Sequence, residues 1–378
     1  MKVLLDATMI PADLGGVGRY VDDLVPELVD VGVDLVMVVQ PRDSDHFASA
    51  VPGAEIVTVD RALGNRALRM AWEQVRLPGL VARIRPDVLH SPHYTFPGRC
   101  GAARAVTLHD ATFFSLPQAH SWVKRQFFTR AISRAVRKAD ALVVPSIATR
   151  DETIRYVGGD IERFHVAYHG VDRAVFHPVD DAERARVAAS LGLGGRRYIG
   201  FLGTLEPRKN VPNLVRGWIE ACAGMEDPPA LVLAGGKGWD EGIDPAVADV
   251  PAGLTLVRPG YLPLADLPGF LSGSEILAYP SIGEGFGLPV LEAMSCGAAV
   301  LTTRLTALPE VGGDAVEYCG TDSHSIAEGL LSLLRDPSLR ARLGRAAIER
   351  ADRFTWRQSA LSHVRAYEYA LGHRRVTS

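Results

Sequence analysis

Two glutamates with seven residues between them bracket a glycine-rich stretch, a pattern that suits the binding of a phosphorylated ligand. The stretch begins at Glu284, continues through Gly285, Phe286 and Gly287, and ends at Glu292. A proline two residues after the last glycine occupies the place of a first-turn helical proline, which predicts a helix start. Backbone N–H groups at such a start lack partners within the helix, and the helix dipole favours an anion there.

The two carboxylates indicate what lies on either side of that anion. Glu284 precedes the predicted helix and Glu292 lies about one turn inside it, so one can reach each side of a bound phosphate. Carboxylates accept pairs of hydrogen bonds from vicinal hydroxyls, and a ligand with a sugar on both sides of phosphate is a nucleotide sugar. The alternative is that the acids complement the helix dipole, which contributes about 0.3–1 kcal/mol each.

A basic pair follows a second predicted strand. Arg208 and Lys209 come directly after Pro207. Cleavage of a sugar from a diphosphate leaves negative charge on the departing phosphate, and positioned cations lower that barrier. Each charge-assisted hydrogen bond contributes about 1.5–3 kcal/mol. The alternative interpretation is a solvated basic turn.

A histidine and an aspartate end a strand of the first half. His109 and Asp110 follow the apolar run 105–108, at the carboxyl edge of the predicted sheet. A histidine there suits contact with a reacting sugar or proton transfer, although a lone histidine is also a common structural residue. Asp110 is the nearest candidate for a carboxylate nucleophile on the opposite face of the sugar.

Strand-length apolar runs alternate with helix-length segments, which predicts βαβ units and a mostly parallel sheet in each half. The runs of the first half are Val3–Leu5, Leu35–Val39, Asp87–His90, Ala105–Leu108 and Ala141–Val144. Those of the second half are Tyr198–Leu202, Ala230–Ala234, Leu254–Val257, Ile276–Tyr279 and Ala299–Thr302. Two such halves predict a ligand in a cleft between the carboxyl ends of both sheets.

The segment 172–197 holds one helix-like stretch and no strong strand, and it marks the domain junction. We therefore predict an α/β protein with domains at 1–178 and 179–356, the second of which carries the nucleotide-sugar motifs. A C-terminal helix over 357–378 is expected to cross back to the first domain.

Composition narrows the class of protein. The chain has 378 residues, 41 Lys+Arg against 44 Asp+Glu and a net charge of −3, which argues against binding nucleic acid through bulk positive charge. Its four cysteines form no C-x-x-C pair, which excludes a disulfide scaffold and a zinc ribbon. No apolar run approaches the ~18 residues of a membrane-spanning helix, and the N-terminal run is too short for a signal peptide. A cytoplasmic location is expected.

Taken together, these motifs resemble the retaining glycosyltransferases of family 4, which have two Rossmann-like domains in the GT-B arrangement. The resemblance implies that 1–178 is the acceptor-side domain and 179–356 the nucleotide-sugar domain. Further segments share the likeness along nearly the whole chain. They are Gly15–Tyr20, His169–Asp172 with Phe176–Pro178, Gly203–Asn210, Ala234–Trp239 and Arg353–Trp356.

The resemblance implies roles for individual residues. Glu284 would bind hydroxyls of the transferred sugar, Glu292 the ribose, and His109 the sugar from the first domain. The loop of Gly15 and Gly16 would face the donor phosphate, and its mobility would help the cleft close. The remaining donor contacts would come from Gly235, Lys237, Gly285, Phe286 and Gly287. The family typically has an arginine where this chain has Thr204, while Lys209 matches the family lysine; Arg208 is inferred to supply the missing charge.

The implied reaction is retaining transfer of a hexose to a lipid-linked or oligosaccharide acceptor, by a front-side path in which the leaving phosphate accepts the proton. Segments 61–85 and 87–94 resemble bacterial polysaccharide mannosyltransferases, so mannose from GDP-mannose is the expected donor. Alternatives are a UDP- or dTDP-sugar donor, a nucleotide-sugar epimerase, and a non-catalytic nucleotide-sugar binding protein. No cofactor is expected, and no metal, although Asp43 and Asp45 form a D-x-D pattern.

Residues 121–138 hold six basic and no acidic residues, interleaved with Trp122, Phe127 and Phe128. Such a helix can lie on an anionic membrane, at about 1 kcal/mol per basic residue. This predicts peripheral contact at the inner face of the membrane. The alternative is a solvated basic face over ordinary core packing.

Overall fold

The computed structural model describes residues 1–10 and 15–374. The chain divides into two compact units. Unit 1 comprises Met1–Gly170 with Thr355–Ser378, and unit 2 comprises Val171–Phe354. The division falls earlier in the chain than the junction expected after residue 178.

Parallel β-sheets form the centre of both units. In the described residues the strands are β1 (Lys2–Asp6), β2 (Asp34–Val39), β3 (Glu55–Thr58), β4 (Val88–Ser91), β5 (Ala103–Thr107), β6 (Ala141–Val144), β7 (Phe164–Val166), β8 (Tyr198–Leu202), β9 (Ala230–Ala234), β10 (Leu256–Gly260), β11 (Ile276–Tyr279), β12 (Val300–Thr303) and β13 (Glu317–Cys319).

The helices of the described residues surround these sheets. They are α1 (Gly16–Asp30), α2 (Ser44–Ala50), α3 (Arg66–Val75), α4 (Leu77–Ile84), α5 (Thr112–Ser115), α6 (Trp122–Lys138), α7 (Ile147–Val157), α8 (Asp181–Ser190), α9 (Val211–Cys222), α10 (Ile243–Ala248), α11 (Leu267–Gly273), α12 (Leu288–Ser295), α13 (Leu308–Gly312), α14 (Ser323–Arg335), α15 (Pro337–Ala351) and α16 (Trp356–Gly372).

Both sheets are parallel and doubly wound. In unit 1 the strand order is β3-β2-β1-β4-β5-β6-β7, and in unit 2 it is β10-β9-β8-β11-β12-β13. In each sheet the strand order reverses at one place, which is between β1 and β4 in unit 1 and between β8 and β11 in unit 2. The loops that leave the two strands at a reversal diverge to opposite faces and open a crevice at the carboxyl edge, where ligands bind in such sheets.

The apolar runs of the sequence became strands because both faces of these sheets are covered by helices. Val3, Leu4 and Leu5 of β1 are fully buried, as are Leu277 and Ala278 of β11. Strands of parallel sheets therefore appear as continuous apolar runs. The short strands β3, β7 and β13 were not predicted, because they lie at sheet edges and most of their side chains are only half-buried or exposed.

The C-terminal helix belongs to unit 1. It begins after Thr355, whose hydroxyl oxygen accepts the Gln358 N–H at 3.2 Å. It packs against α1 and against strands β4 to β7. The helix ends at Gly372, and the last four residues of the predicted helix, 375–378, lie outside the described residues.

Candidate active site

The basic loop and the glycine-rich stretch meet at the point where the strand order of unit 2 reverses. Arg208 and Lys209 follow β8 in a single turn of 3-10 helix, and Glu284 follows β11. The carbonyl oxygen of Arg208 accepts two hydrogen bonds, from the Ile282 N–H at 2.8 Å and the Ser281 hydroxyl at 2.9 Å. These bonds join the two loops, so the predicted groups lie together at the ligand-binding edge of the sheet.

Glu284 is the centre of a buried charged cluster and is itself only 7% exposed. Its Oε1 accepts from Lys209 Nζ at 2.6 Å, from the Ser281 hydroxyl at 2.7 Å and from the Tyr279 hydroxyl at 3.0 Å. Its Oε2 accepts from Arg208 at 2.5 Å. Four donors thus hold the carboxylate in one orientation.

The second counter-charge of this cluster is Glu206. Its Oε1 lies 2.6 Å from Arg208 Nη2. Two cations and two carboxylates therefore balance, because burying an unpaired charge costs far more than burying a pair. The basic loop therefore belongs to a cluster whose formal charges sum to zero.

The pKa values of the cluster follow from burial and pairing. Burial alone would raise the pKa of Glu284, but Arg208 and Lys209 outweigh it and hold that pKa at about 2. For Lys209, burial and the neighbouring Arg208 lower the pKa, and Glu284 opposes the shift. Burial and the Glu284 charge raise the pKa of the Tyr279 hydroxyl well above its usual value. Glu284 is therefore ionised at neutral pH and Tyr279 is a neutral donor.

The helix after this cluster begins where the sequence predicts. Gly287 is the N-cap residue of α12, with φ of +105°, and Pro289 lies in the first turn. Glu292 lies inside the helix and is 1% exposed. The Phe286 ring packs edge-on against Phe354, with centroids 5.9 Å apart.

The glycine turn after β9 lies directly against the loop after β8. A Cβ on Gly235 would lie 2.1 Å from the Gly203 carbonyl oxygen, and one on Gly238 would lie 1.8 Å from that of Leu205. Only glycine allows this approach. Thr204 and Lys237, carried by these two loops, are both exposed.

In unit 1, His109 and Asp110 lie at the carboxyl end of β5, and both are half-buried. His109 Nε2–H donates to the Pro92 carbonyl oxygen at 2.7 Å. Burial lowers the pKa of His109, so the ring is neutral and Nδ1 is its acceptor nitrogen. Asp110 Oδ1 accepts from the Thr112 N–H at 3.1 Å and the Thr112 hydroxyl at 2.8 Å, which closes a local turn.

A buried network of neutral side chains lies beside His109. The Tyr20 ring meets the His109 ring edge-on, with centroids 5.0 Å apart. The Tyr20 hydroxyl lies 2.6 Å from His363 Nε2 and 3.0 Å from the Thr107 hydroxyl. The Thr107 hydroxyl also lies 2.8 Å from His90 Nε2, and His90 Nδ1 lies 2.9 Å from the Tyr367 hydroxyl.

One set of hydrogen positions satisfies this network. His363 Nδ1–H donates to the Ser359 carbonyl oxygen at 2.8 Å, and burial lowers the pKa of His363 to about 4. Its Nε2 must therefore accept from Tyr20, so Tyr20 accepts from Thr107. Thr107 in turn accepts from His90 Nε2–H. Since burial also holds the pKa of His90 well below its usual value, its Nδ1 accepts from the Tyr367 hydroxyl.

Comparison with known families decides what these two units are. The family model described as Glycosyltransferase Family 4 matches residues 14–175, and the model described as Glycosyl transferases group 1 matches residues 184–350. The chain is a glycosyltransferase in which a family 4 domain is followed by a group 1 domain. It is an enzyme of the transferase class, as its sequence predicts.

Individual relatives agree with this assignment. The glycosyltransferase is 27% identical to the O-antigen chain mannosyltransferase B of Escherichia coli, over 97% of this chain and 100% of that protein. It is 28% identical to the alpha-maltose-1-phosphate synthase of Mycolicibacterium smegmatis, over 97% and 99% of the two chains. The crystal structure of Anabaena HepE with UDP and glucose shares the fold, with a TM-score of 0.74, 18% identity and coverage of 97% and 98%. The GT-B fold class is thereby confirmed.

Other predicted site residues of the glycosyltransferase belong to unit 1. Gly15 is the N-cap residue of α1, Gly16 is its first residue, and both are exposed; residues 11–14 before them lie outside the described part. Asp43 pairs with Arg42 at 3.3 Å, and Asp45 lies in the first turn of α2. Within residues 1–10 and 15–374, no group of three or more His, Cys, Asp or Glu side chains could hold a metal ion.

The basic helix of the glycosyltransferase is α6, and its aromatic side chains differ in their exposure to solvent. Trp122 is 72% exposed and Val123 is 69% exposed. Phe128 instead stacks on Phe113, with centroids 4.4 Å apart, and Phe127 is half-buried. Only the first turn therefore presents apolar side chains outward. In the described residues, none of the helices is both long enough and apolar enough to span a membrane.

Sequence reasoning missed several residues of these sites. Tyr279 and Ser281 donate to Glu284, and Thr306 accepts the Glu284 N–H at 2.9 Å. Tyr279 and Ser281 lie beside the glycine-rich stretch, so their proximity was a usable signal. Tyr20 and His363 are 343 residues apart in the chain, and no local pattern indicates their contact.

Proposed function

We propose that this enzyme is a retaining hexosyltransferase that uses a nucleotide-sugar donor, with mannose from GDP-mannose as the donor of first choice. The observation that carries the proposal is the buried cluster of Glu284, Arg208 and Lys209 at the point where the strand order of unit 2 reverses. The mannosyltransferase named among the relatives supports the choice of sugar. HepE, whose structure contains UDP and glucose, favours a UDP-sugar as the second candidate donor.

The diphosphate of the donor would be held by three parts of unit 2. Arg208 and Lys209 would meet the charge that develops on the leaving phosphate, and the start of α12 at Gly287 would supply backbone N–H groups. Glu284 already orients both cations, which reduces the reorganisation needed when the donor binds. Gly235 and Lys237 of the neighbouring loop would add donor contacts.

Sugar hydroxyls would be recognised by acceptor groups. Glu284 would bind hydroxyls of the transferred hexose, and Glu292 would bind those of the ribose. In unit 1, the neutral ring of His109 offers Nδ1 as an acceptor for a hydroxyl, and this is its proposed role. Thr204, Gly285 and Phe286 would complete the donor site through their backbones.

The transfer would proceed on one face of the sugar. The bond from the anomeric carbon to the phosphate oxygen breaks, and the bond to the acceptor oxygen forms on the same face. The acceptor's hydroxyl proton passes to the departing phosphate oxygen, and so no protein base is required. The local turn that engages Asp110 Oδ1 supports this path over a covalent glycosyl–Asp110 intermediate. We also propose that no metal ion is needed, since the cations and amides would stabilise the diphosphate.

The proposed acceptor is a glycan or glycolipid. The first turn of α6 presents Trp122 and Val123, and basic residues follow along the helix. We propose peripheral contact with anionic membrane through this helix. Vesicle sedimentation tests this contact: Trp122→Ser should reduce binding to anionic vesicles at low salt, and salt-insensitive or absent binding by the native enzyme would refute it.

A donor panel tests the proposed reaction. The enzyme is incubated with GDP-mannose and with UDP-, dTDP- and ADP-sugars, with and without exhaustive EDTA treatment, and products are separated by chromatography and NMR. We expect release of the nucleoside diphosphate, glycosides with the anomeric configuration of the donor, and undiminished activity after EDTA. An isomerised sugar without acceptor would indicate an epimerase, and binding without turnover of any donor would indicate a binding protein.

A further inference from the structure

Unit 1 contains a cavity at the edge of its sheet opposite to the edge where His109 lies. The cavity has a volume of about 580 Å³ and lies between α4, the loop before β5, and the C-terminal end of α6. Gly98 to Gly101 precede β5, Arg104 is the second residue of that strand, and Lys138 is the last residue of α6 before β6. The cavity therefore lies at the amino edge of the sheet, whereas His109 lies at its carboxyl edge. Its size falls within the range of small-molecule sites.

The lining of this cavity is strongly basic. Arg99, Arg104, Arg134 and Lys138 line it, and within the described part of the chain no acidic side chain does so. Arg374 is close by, since its guanidinium donates to the Gly101 carbonyl oxygen at 2.5 Å. Like charges around one cavity repel one another, so this basic cluster favours an anionic occupant.

Neighbouring acids offset little of this charge. Asp140 pairs with Arg104: its Oδ2 lies 3.1 Å from Arg104 Nε and accepts the backbone N–H of Arg104 at 2.8 Å. Among the described residues, neither Arg99 nor Lys138 has an acidic side chain within ion-pairing distance. Arg134 is held in place by packing, because its guanidinium lies 4.7 Å from the centre of the Phe96 ring.

We propose that this cavity is a phosphoryl-binding site separate from the donor site. Arg99, Arg134 and Lys138 would bind the phosphate oxygens, and Phe96 and Pro78 would contact the apolar or ring portion of the same ligand. Planar guanidinium groups bind phosphate oxygens in pairs, and two of the three cations are arginines. The chemistry recognised is a phosphate ester or diphosphate, carried either by a lipid headgroup or by a soluble phosphorylated molecule.

A cysteine in the cavity wall provides a local measurement. Cys100 lines the cavity and is half-buried. Its alkylation by iodoacetamide, a neutral reagent, is followed by mass spectrometry of its peptide, so occupation of unit 2 by the same anion does not enter the readout. The probes are sodium pyrophosphate, with sodium chloride of equal ionic strength as reference, and phosphatidylglycerol/phosphatidylcholine vesicles, with phosphatidylcholine vesicles as reference.

We expect pyrophosphate or the anionic vesicles to slow alkylation of Cys100 about tenfold once the probe exceeds its Kd tenfold, since only the empty fraction reacts. Alkylation of Cys319, which lies in unit 2, is the internal control. Protection by pyrophosphate alone identifies a soluble phosphorylated ligand. Protection by vesicles, with pyrophosphate ineffective, identifies a lipid headgroup.

Two variants bring an acid into the cavity without disturbing the core. A Cβ on the exposed Gly101 would meet no atom within 4 Å, so Gly101→Glu introduces a carboxylate without steric conflict; Lys138→Glu reverses an exposed charge. Both should abolish protection, whereas Arg155→Glu, at an exposed residue of α7 that does not line the cavity, should retain it. The proposal is overturned if neither probe protects Cys100, or if the two cavity variants are protected as well as the native enzyme.

Discussion

The two units bury polar groups at the carboxyl edges of their sheets in opposite ways. Unit 2 keeps its groups ionised: Glu284 accepts from both Arg208 and Lys209, and its pKa is about 2. Unit 1 keeps its groups neutral: the pKa of His363 is about 4, and its Nε2 accepts from Tyr20. A buried titratable group can be stabilised by an opposite charge or by losing its own, and the enzyme uses one solution in each unit.

The difference relates to the ligands proposed for each unit. A site whose cations are already oriented by carboxylates can bind a diphosphate with little reorganisation. A site of neutral imidazoles and hydroxyls instead offers single donors and acceptors, which match the hydroxyls of a sugar. The comparison therefore predicts that charge changes act mainly in unit 2, whereas hydrogen-bond changes act in unit 1.

The largest effect is expected from Glu284→Gln. The substitution keeps the size of the side chain but leaves Arg208 and Lys209 with one counter-charge fewer, and breaking a buried pair costs about 3–5 kcal/mol. Turnover should fall at least about 100-fold, because the cations lose their orientation. Chemical denaturation and steady-state kinetics measure the two effects. Glu226→Gln, an exposed acid of unit 2, is the control; equal behaviour of the two variants would contradict the assigned cluster.

Acid should act on the two units in different pH windows. His363 has a folded-state pKa below that of the unfolded chain, 6.5, so its contribution is complete above pH 6.5 and is lost as pH falls towards 4. Glu284 also has a lowered pKa, and its contribution is lost only between pH 4.5 and about 2. Each shift corresponds to roughly 3 kcal/mol.

The pH windows can be separated with variants. Unfolding free energy is measured from pH 7 to pH 4 for the native enzyme and for His363→Gln, which cannot titrate there. The variant should lack the part of the slope that belongs to His363, while Glu284→Gln should keep it. Parallel slopes for the native enzyme and His363→Gln would show that this histidine is not held neutral by the fold.

A smaller effect is expected from Tyr20→Phe. Loss of the hydroxyl leaves His363 Nε2 and Thr107 without their shared partner, at a cost of about 1–3 kcal/mol. Unfolding by urea measures the change, and Tyr156→Phe, at an exposed tyrosine of unit 1, is the matched control. Equal midpoints for the two variants would mean that the neutral network contributes no stability.

The smallest effect is expected from Glu292→Gln. Glutamine keeps one acceptor oxygen for a ribose hydroxyl but loses the charge, so the Kd of the nucleoside diphosphate should rise about tenfold, equivalent to about 1.4 kcal/mol. Turnover at saturating donor should change little. Isothermal titration calorimetry with GDP and UDP checks this expectation, and an unaltered Kd for both would remove Glu292 from the ribose contact.

The sequence predicted what depends on local pattern. The runs that became β8 and β11 are buried on both faces, and residues that follow adjacent parallel strands meet at one edge. The meeting of Arg208 and Lys209 with Glu284 could therefore be expected. Strands β3, β7 and β13 could not, because their edge positions leave them without a continuous apolar run.

What the sequence did not predict depends on long-range packing. The balance of charge around Arg208 requires the rotamers of Glu206 and Glu284, which only the folded loops define. The exposure of Trp122 and the stacking of Phe128 on Phe113 depend on how α6 is rotated against the core, which the composition of the helix does not define. The contact of Tyr20 with His363 joins the two ends of the chain.

The central claim is that the cations at the reversal of strand order in unit 2 bind the diphosphate of a nucleotide sugar. The most direct measurement is the Kd of GDP and of UDP, by calorimetry, for the native enzyme and for Lys209→Met, with the unfolding temperature of each protein recorded. Loss of one charge-assisted hydrogen bond should raise the Kd of the preferred nucleotide at least about tenfold. An unchanged Kd in a folded Lys209→Met enzyme would contradict the account.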